Sequence, residues 1–125
     1  MNDLKIASTQ STPVIVATAA TGVVELRGDS YPENSFEFFA PLNAWIDEFL
    51  ASSSAALRLE LHLLYLNTSS VKVMMDIFDA LEEAHSAARP VSVSWYFDAD
   101  NGRIAELAEE FKEDCTFPFE IEEQA

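Results

Sequence analysis

Few side chains in this sequence could carry chemistry, and their neighbours separate them quickly. The two histidines, His62 and His85, have no Cys or second His at ligand spacing. His62 reads as a mid-strand residue, and His85 as a helix C-terminal residue favoured by the helix dipole. Asp98-Ala99-Asp100 offers two carboxylates to a cation, yet with Asn101-Gly102 it also makes an ordinary strand-to-helix turn. The lone cysteine, Cys115, has only Lys112 as a nearby cation and follows an apolar helical stripe, so it reads as a small core residue. A single cysteine also excludes an internal disulfide and a Cys-based zinc site. The sequence carries no Gly-rich phosphate loop, nucleophile elbow or zinc-helix motif. No enzymatic activity, metal or cofactor is expected.

The remaining candidate is Asn67-Thr68-Ser69-Ser70, four hydrogen-bonding residues between a strand and a helix. One reading is capping: such side chains satisfy the free N–H groups of a helix start, each cap contributing about 1 kcal/mol. The other begins from the same geometry. Free amides and the positive end of the dipole make a helix N-terminus hospitable to phosphate, so a hydroxyl displayed there is a plausible phosphoacceptor.

The elements that must position this run are legible from periodicity. Residues 1–12 read as a loosely ordered lead-in to a single domain spanning 1–125. Pro13–Ala17 and Gly22–Arg27 read as a hairpin around Thr18–Thr21, and Gly28-Asp29-Ser30-Tyr31-Pro32-Glu33-Asn34 as a turn. A short helical turn is expected over Ser35–Phe39, then a helix opening at Pro41 with Leu42, Trp45, Ile46, Phe49 and Leu50 on one face. Leu57–Leu66 is the clearest strand. Its odd positions are apolar throughout, while its even positions run from Arg58, Glu60 and His62 to Leu64 and Leu66. That pattern predicts a central strand whose second face becomes buried towards its end. The next helix takes Val71, Met74, Met75, Phe78 and Leu81 as its inner stripe, and the phenylalanines Phe36, Phe38 and Phe39 also read as core. Val91–Phe97 is a strand, Ile104, Leu107, Ala108 and Phe111 mark a third helix, and Phe117–Ile121 a last edge strand. The class is α/β: a mixed sheet of four to five strands with three main helices covering at least one face.

Composition sets the outer limits. The 125 residues suffice for one domain, and 49% apolar with 23% charged residues is ordinary for a globular chain. A net charge of −15, with seven scattered bases, argues against nucleic acid and anionic membrane as partners. Residues 96–125 hold ten acids against Arg103 and Lys112, read as a solvated face. No signal segment or membrane-spanning run is visible, so the cytoplasm is the expected compartment.

The SYPEN string in Gly28–Asn34, the segment Leu64-Tyr65-Leu66-Asn67-Thr68-Ser69-Ser70 and Val93-Ser94-Trp95-Tyr96 resemble the bacterial SiaC family of regulatory phosphoproteins. Thr12-Pro13 and Phe117-Pro118-Phe119 extend the resemblance over nearly the whole chain. It implies a non-catalytic switch protein with a fold similar to the anti-sigma-factor antagonist (STAS-like) domains. It further implies that Thr68 is phosphorylated by a dedicated SiaB-like kinase and dephosphorylated by a SiaA-like PP2C phosphatase. The unmodified form would bind and stimulate a SiaD-like diguanylate cyclase, raising cyclic-di-GMP and promoting aggregation or biofilm. Partner contact is expected around Asn67, Thr68, Ser69, Ser70, Val71 and Lys72, and its mostly neutral character predicts modest salt sensitivity. Two other classes compete: a small-ligand-sensing STAS-like module without covalent modification, and an enzyme using Asp98 and Asp100 with a metal.

Overall fold

The computed structural model describes residues 1–124. In chain order the elements are β1 (Leu4–Ile6), β2 (Val14–Thr18), β3 (Val23–Ser30), α1 (Ser35–Ser52), β4 (Leu57–Leu66), α2 (Thr68–Ser86), β5 (Val91–Asp98), α3 (Gly102–Glu113) and β6 (Phe119–Gln124). They form one six-stranded mixed sheet in sequential order, with β1, β2 and β3 antiparallel and β3 through β6 parallel. Each parallel step needs a crossover, and a helix supplies every one. Right-handed crossovers between successive neighbours all fall on the same side. The three helices therefore share one face, and a single core forms between them and the sheet from Ile15, Leu26, Phe39, Phe49, Leu59, Met74, Trp95, Phe111 and their neighbours.

The residues expected to be a loose lead-in contain β1, which pairs Leu4 with Ala17 and Ile6 with Ile15, so the sheet has one strand more than the upper expectation. Trp45 Nε1 donates to the Asn2 carbonyl and anchors this segment to α1. The hairpin stands as read, with Gly22 at its corner in the left-handed region (φ 70°). A Cβ there would lie 2.1 Å from the Ala56 carbonyl oxygen, so glycine is required both by conformation and by space.

Two boundaries differ from the sequence reading. β3 runs on to Ser30, because Gly28, Asp29 and Ser30 pair with the growing end of β4 instead of turning. The phenylalanine turn and the Pro41 helix are one continuous α1, capped by Asn34, whose side chain accepts from the Glu37 amide. Pro41 only deprives the Glu37 carbonyl of its usual donor, and tertiary packing of Phe39, Leu42, Trp45, Ile46 and Phe49 carries the helix through it. Phe36 falls outside that buried stripe and is 55% exposed.

β4 lies between β3 and β5 as expected, but its second face does not become buried. All helices are on the other side, so Arg58, Glu60 and His62 look out from an open sheet. Between Gly28–Leu63 and Asp29–Tyr65 the register slips by one residue, making Leu64 the extra residue of a bulge. The alternation changes phase there. Leu63 and Leu66 are buried, while Leu64 and Tyr65 between them are exposed. On α2 the buried stripe is Ser70, Val73, Met74, Ile77, Phe78 and Leu81, which leaves Val71 half-buried and Met75 exposed, against the stripe expected from sequence.

Candidate functional site

The carboxyl ends of β3, β4 and β5 lead into the starts of α1, α2 and α3, so three helix N-termini gather along one edge. Each is capped by an asparagine. Asn34 Oδ1 accepts from Glu37, Asn67 Oδ1 from Ser70 and Asn101 Oδ1 from Ile104. Asn34 and Asn67 also take the Phe38 and Val71 amides on their carbonyls, closing the first helical turns. Asn caps satisfy orphan donors where the main chain turns from extended to helical.

Asn67 does more than cap. Its backbone amide donates to the Ser30 carbonyl and its Nδ2 to the Pro32 carbonyl, tying α2 to the chain leaving β3. Behind it sits a cluster of serine hydroxyls. Ser70 Oγ shares a 2.8 Å hydrogen bond with Ser30 Oγ, and Ser35 Oγ shares a 2.6 Å bond with Ser69 Oγ and a longer one with Ser70 Oγ. Ser30, Ser35 and Ser70 are buried, with Ser30 and Ser70 wholly inaccessible. Buried hydroxyls need partners, and here they supply one another, pinning the α1 and α2 starts together.

Thr68 stands apart from this cluster. It occupies the first helical position of α2, one residue past the cap, and its side chain is exposed with no hydrogen bond among the described residues. The residues singled out in the sequence thus separate by role: Asn67 caps, Ser69 and Ser70 crosslink, and Thr68 presents a free hydroxyl. Val71 is half-buried. Lys72 is exposed, and its ammonium contacts Asp76 Oδ1 at 2.8 Å, one turn further on and not towards Thr68. That carboxylate holds the Lys72 pKa above its usual value.

Sequence reasoning missed the apolar character of the edge. Among the described residues the large apolar side chains left substantially exposed are Met1, Tyr31, Phe36, Leu64, Tyr65 and Met75. Tyr31 and Tyr65 meet edge to face, ring centroids 6.2 Å apart. The available signal was the tyrosine and phenylalanine content of the SYPEN and LNTSS surroundings, but period-two and helical readings assigned Phe36, Leu64, Tyr65 and Met75 inward, and Tyr31 was read only as part of a turn.

The other candidates are placed elsewhere. His62, on the open sheet face, stacks on Tyr96 and meets Gln124; partial burial, then the neighbouring Arg27, holds its pKa below the ordinary value. His85 is in the last turn of α2, as read. Asp98 and Asp100 are exposed in the β5–α3 turn, and among the described residues no group of three or more His, Cys, Asp and Glu is placed to share a metal ion. Burial pushes the Cys115 thiol up to about 11, the condition of an unreactive thiol. An open cavity of about 440 Å³, lined by Ala56, His85, Arg89, Pro90 and Pro118, lies at the opposite edge of the sheet.

Fold and site together define a small α/β domain built around one sheet edge, where paired helix starts display the free Thr68 hydroxyl amid exposed aromatic residues. The chain belongs to the SiaC family of regulatory phosphoproteins, whose family model matches residues 6–124. It is 57% identical over 122 residues to an uncharacterized protein of Pseudomonas aeruginosa strain UCBPP-PA14, covering 98% of this chain and 97% of that one. Its structure is similar to that of SiaC of Pseudomonas aeruginosa, with a TM-score of 0.94 and 55% identity over 99% of this chain and 100% of that one. It is equally similar to the activator SiaC in the crystal structure of the Pseudomonas aeruginosa diguanylate cyclase SiaD in complex with it, with a TM-score of 0.95 and 56% identity over 98% of this chain and all of that one. Among the described residues no helix is long and apolar enough to cross a membrane.

Proposed function

We propose that this chain is a non-catalytic cytoplasmic switch protein whose Thr68 state decides which partner it binds. Unmodified, it binds and activates a SiaD-like diguanylate cyclase, raising cyclic-di-GMP and favouring aggregation or biofilm. A SiaB-like kinase phosphorylates Thr68 and a SiaA-like PP2C phosphatase restores it. The activation step is supported by the relative solved in complex with the cyclase it activates. The observation that carries the choice of residue is the contrast among three adjacent hydroxyls: Ser69 and Ser70 are held in hydrogen bonds and Thr68 is free at the surface.

The energetics favour a switch of binding over a switch of folding. A phosphate adds about −1.5 to −2 charge. At the first position of α2 it meets free amides and the favourable end of the dipole, worth on the order of 0.3–1 kcal/mol at an exposed site. Against a partner, the same dianion left unpaired costs several kcal/mol, and about 2.8 kcal/mol already weakens affinity a hundredfold. Incubation with the kinase and ATP followed by peptide mapping tests this reading. A single phosphate on the Thr68 peptide is expected, absent in Thr68→Ala, with loss of cyclase stimulation in the phosphoprotein. Undiminished labelling of Thr68→Ala would refute the assignment.

A further inference from the structure

Exposed aromatic residues are costly to leave in water, and a monomeric surface rarely gathers several of them without use. Tyr31, Phe36, Leu64 and Tyr65 lie on the chain segments that meet at the edge that carries Thr68. Tyr31 follows β3 directly and touches Tyr65; Leu64 and Tyr65 lie near the end of β4, four and three residues before Thr68; and Phe36 adjoins Ser35, which is bonded to Ser69. The bulge in β4 is the device that turns Leu64 and Tyr65 outward together; without the slipped register Tyr65 would point into the core. Around this apolar centre the acids outnumber the bases: Glu33, Glu37, Asp98 and Asp100 are exposed, against Arg103 in the first turn of α3 and Lys72, which is taken up by Asp76.

We propose that Tyr31, Phe36, Leu64 and Tyr65 are the anchor residues through which this chain grips the cyclase, and that the occupant is a cyclase segment with an apolar centre flanked by Lys and Arg. The inference rests on the cyclase-activation reading and extends the contact from the α2 start to the β3 and β4 ends. Aromatic anchors in a dry centre dominate binding energy, whereas rim charges act chiefly on association rate. Thr68 sits on the margin of this surface, so a phosphate there is carried into the desolvated contact.

Binding of the unmodified full-length chain to the full-length cyclase of the same cell, followed by surface plasmon resonance, tests it without the kinase. Tyr65→Ala and Phe36→Ala should each weaken affinity about 30-fold or more through faster dissociation, with melting temperatures unchanged because both side chains are exposed. Tyr65→Phe should stay within about threefold, and so should Tyr96→Ala, an aromatic truncation on the open sheet face. Raising salt from low to physiological strength should slow association several-fold and leave dissociation unchanged. Wild-type affinity in both alanine variants would overturn the proposal while leaving cyclase activation intact. Loss of self-association in the chain alone, with cyclase binding unaltered, would overturn it in favour of a second copy of the chain as occupant. A wild-type chain that binds no cyclase would refute the activation reading itself, and this inference with it.

Discussion

At the amino edge of the parallel strands, polar groups serve mainly to hold the chain. The Arg89 guanidinium donates to the carbonyls of Leu50 and Ala55, the Leu57 amide to Pro90, and the Arg58 amide to Gly22, which is itself wedged against Ala56. At the carboxyl edge the equivalent bonds come from asparagine caps and serine hydroxyls, and what they leave at the surface is one free threonine among tyrosines and a phenylalanine. The two edges belong to one sheet and one core, and both hold the chain, but only the carboxyl edge also displays a surface of exposed aromatic residues. On the proposed reading, in which partners are chosen at the edge that carries Thr68, stability and partner choice are separable by substitution.

The most forceful way to break this contrast is at Gly22. Gly22→Ala forces a Cβ onto the Ala56 carbonyl at a left-handed position, and a loss of about 3 kcal/mol or more is expected. Thermal denaturation should show a fall on the order of 10 °C, while the folded protein, assayed well below its melting temperature, stimulates the cyclase normally. A melting temperature within 2 °C of wild type, to a rough tolerance set by typical surface substitutions, would remove the distinction between the edges.

Ser70→Ala tests the crosslink beneath the display edge. It leaves the buried Ser30 hydroxyl without its side-chain partner, and a cost of about 1–2 kcal/mol in urea denaturation is expected. Peptide mapping after kinase treatment should still find phosphate on Thr68. A shift of phosphate to Ser69 would mean that the cluster, and not exposure, selects the acceptor.

Thr68→Asp sharpens the contrast from the other side. Because Asn67 is the cap and Thr68 the first helical residue, the new carboxylate gains only the dipole contribution, and stability should change by about 1 kcal/mol or less. Cyclase stimulation should nevertheless be lost. A variant that melts far below wild type would show that the modification works by unfolding.

The smallest expected effect belongs to the open sheet face. Burial and Arg27 depress the His62 pKa below 6.5, so the folded state prefers the neutral imidazole. The resulting stability is present above pH 6.5 and is lost as pH falls through that value to the folded pKa. Only a shallow decline from pH 7 to 5 is expected from this group, since His62 remains largely solvated, and it should vanish in His62→Gln. An unchanged pH profile in that variant would assign the decline to carboxylates instead.

Local pattern alone determined a good deal here. The alternation of Leu57, Leu59, Leu61 and Leu63 identified the central strand, because side chains two apart share a face whatever the sheet around them. The hairpin, the β5 strand, the third helix and the Asn67 cap were likewise legible, since each depends on residues within a few positions of one another. The SYPEN and LNTSS strings carried the family resemblance, and the family model matching residues 6–124 agrees with it.

Tertiary structure decided what local pattern leaves open. A three-residue strand such as β1 forms only because β2 offers it an edge, and α1 crosses Pro41 only because its apolar face has a sheet to pack against. Periodicity specifies alternation but not register, so it could not foresee the slip at Leu64 that turns Tyr65 outward. The same limit applies to Thr68, Ser69 and Ser70, which are equivalent as a string of hydroxyls. Their roles diverge because Ser30 and Ser35, 40 and 34 positions away from Ser70 and Ser69 respectively, reach two of them and leave the third in water.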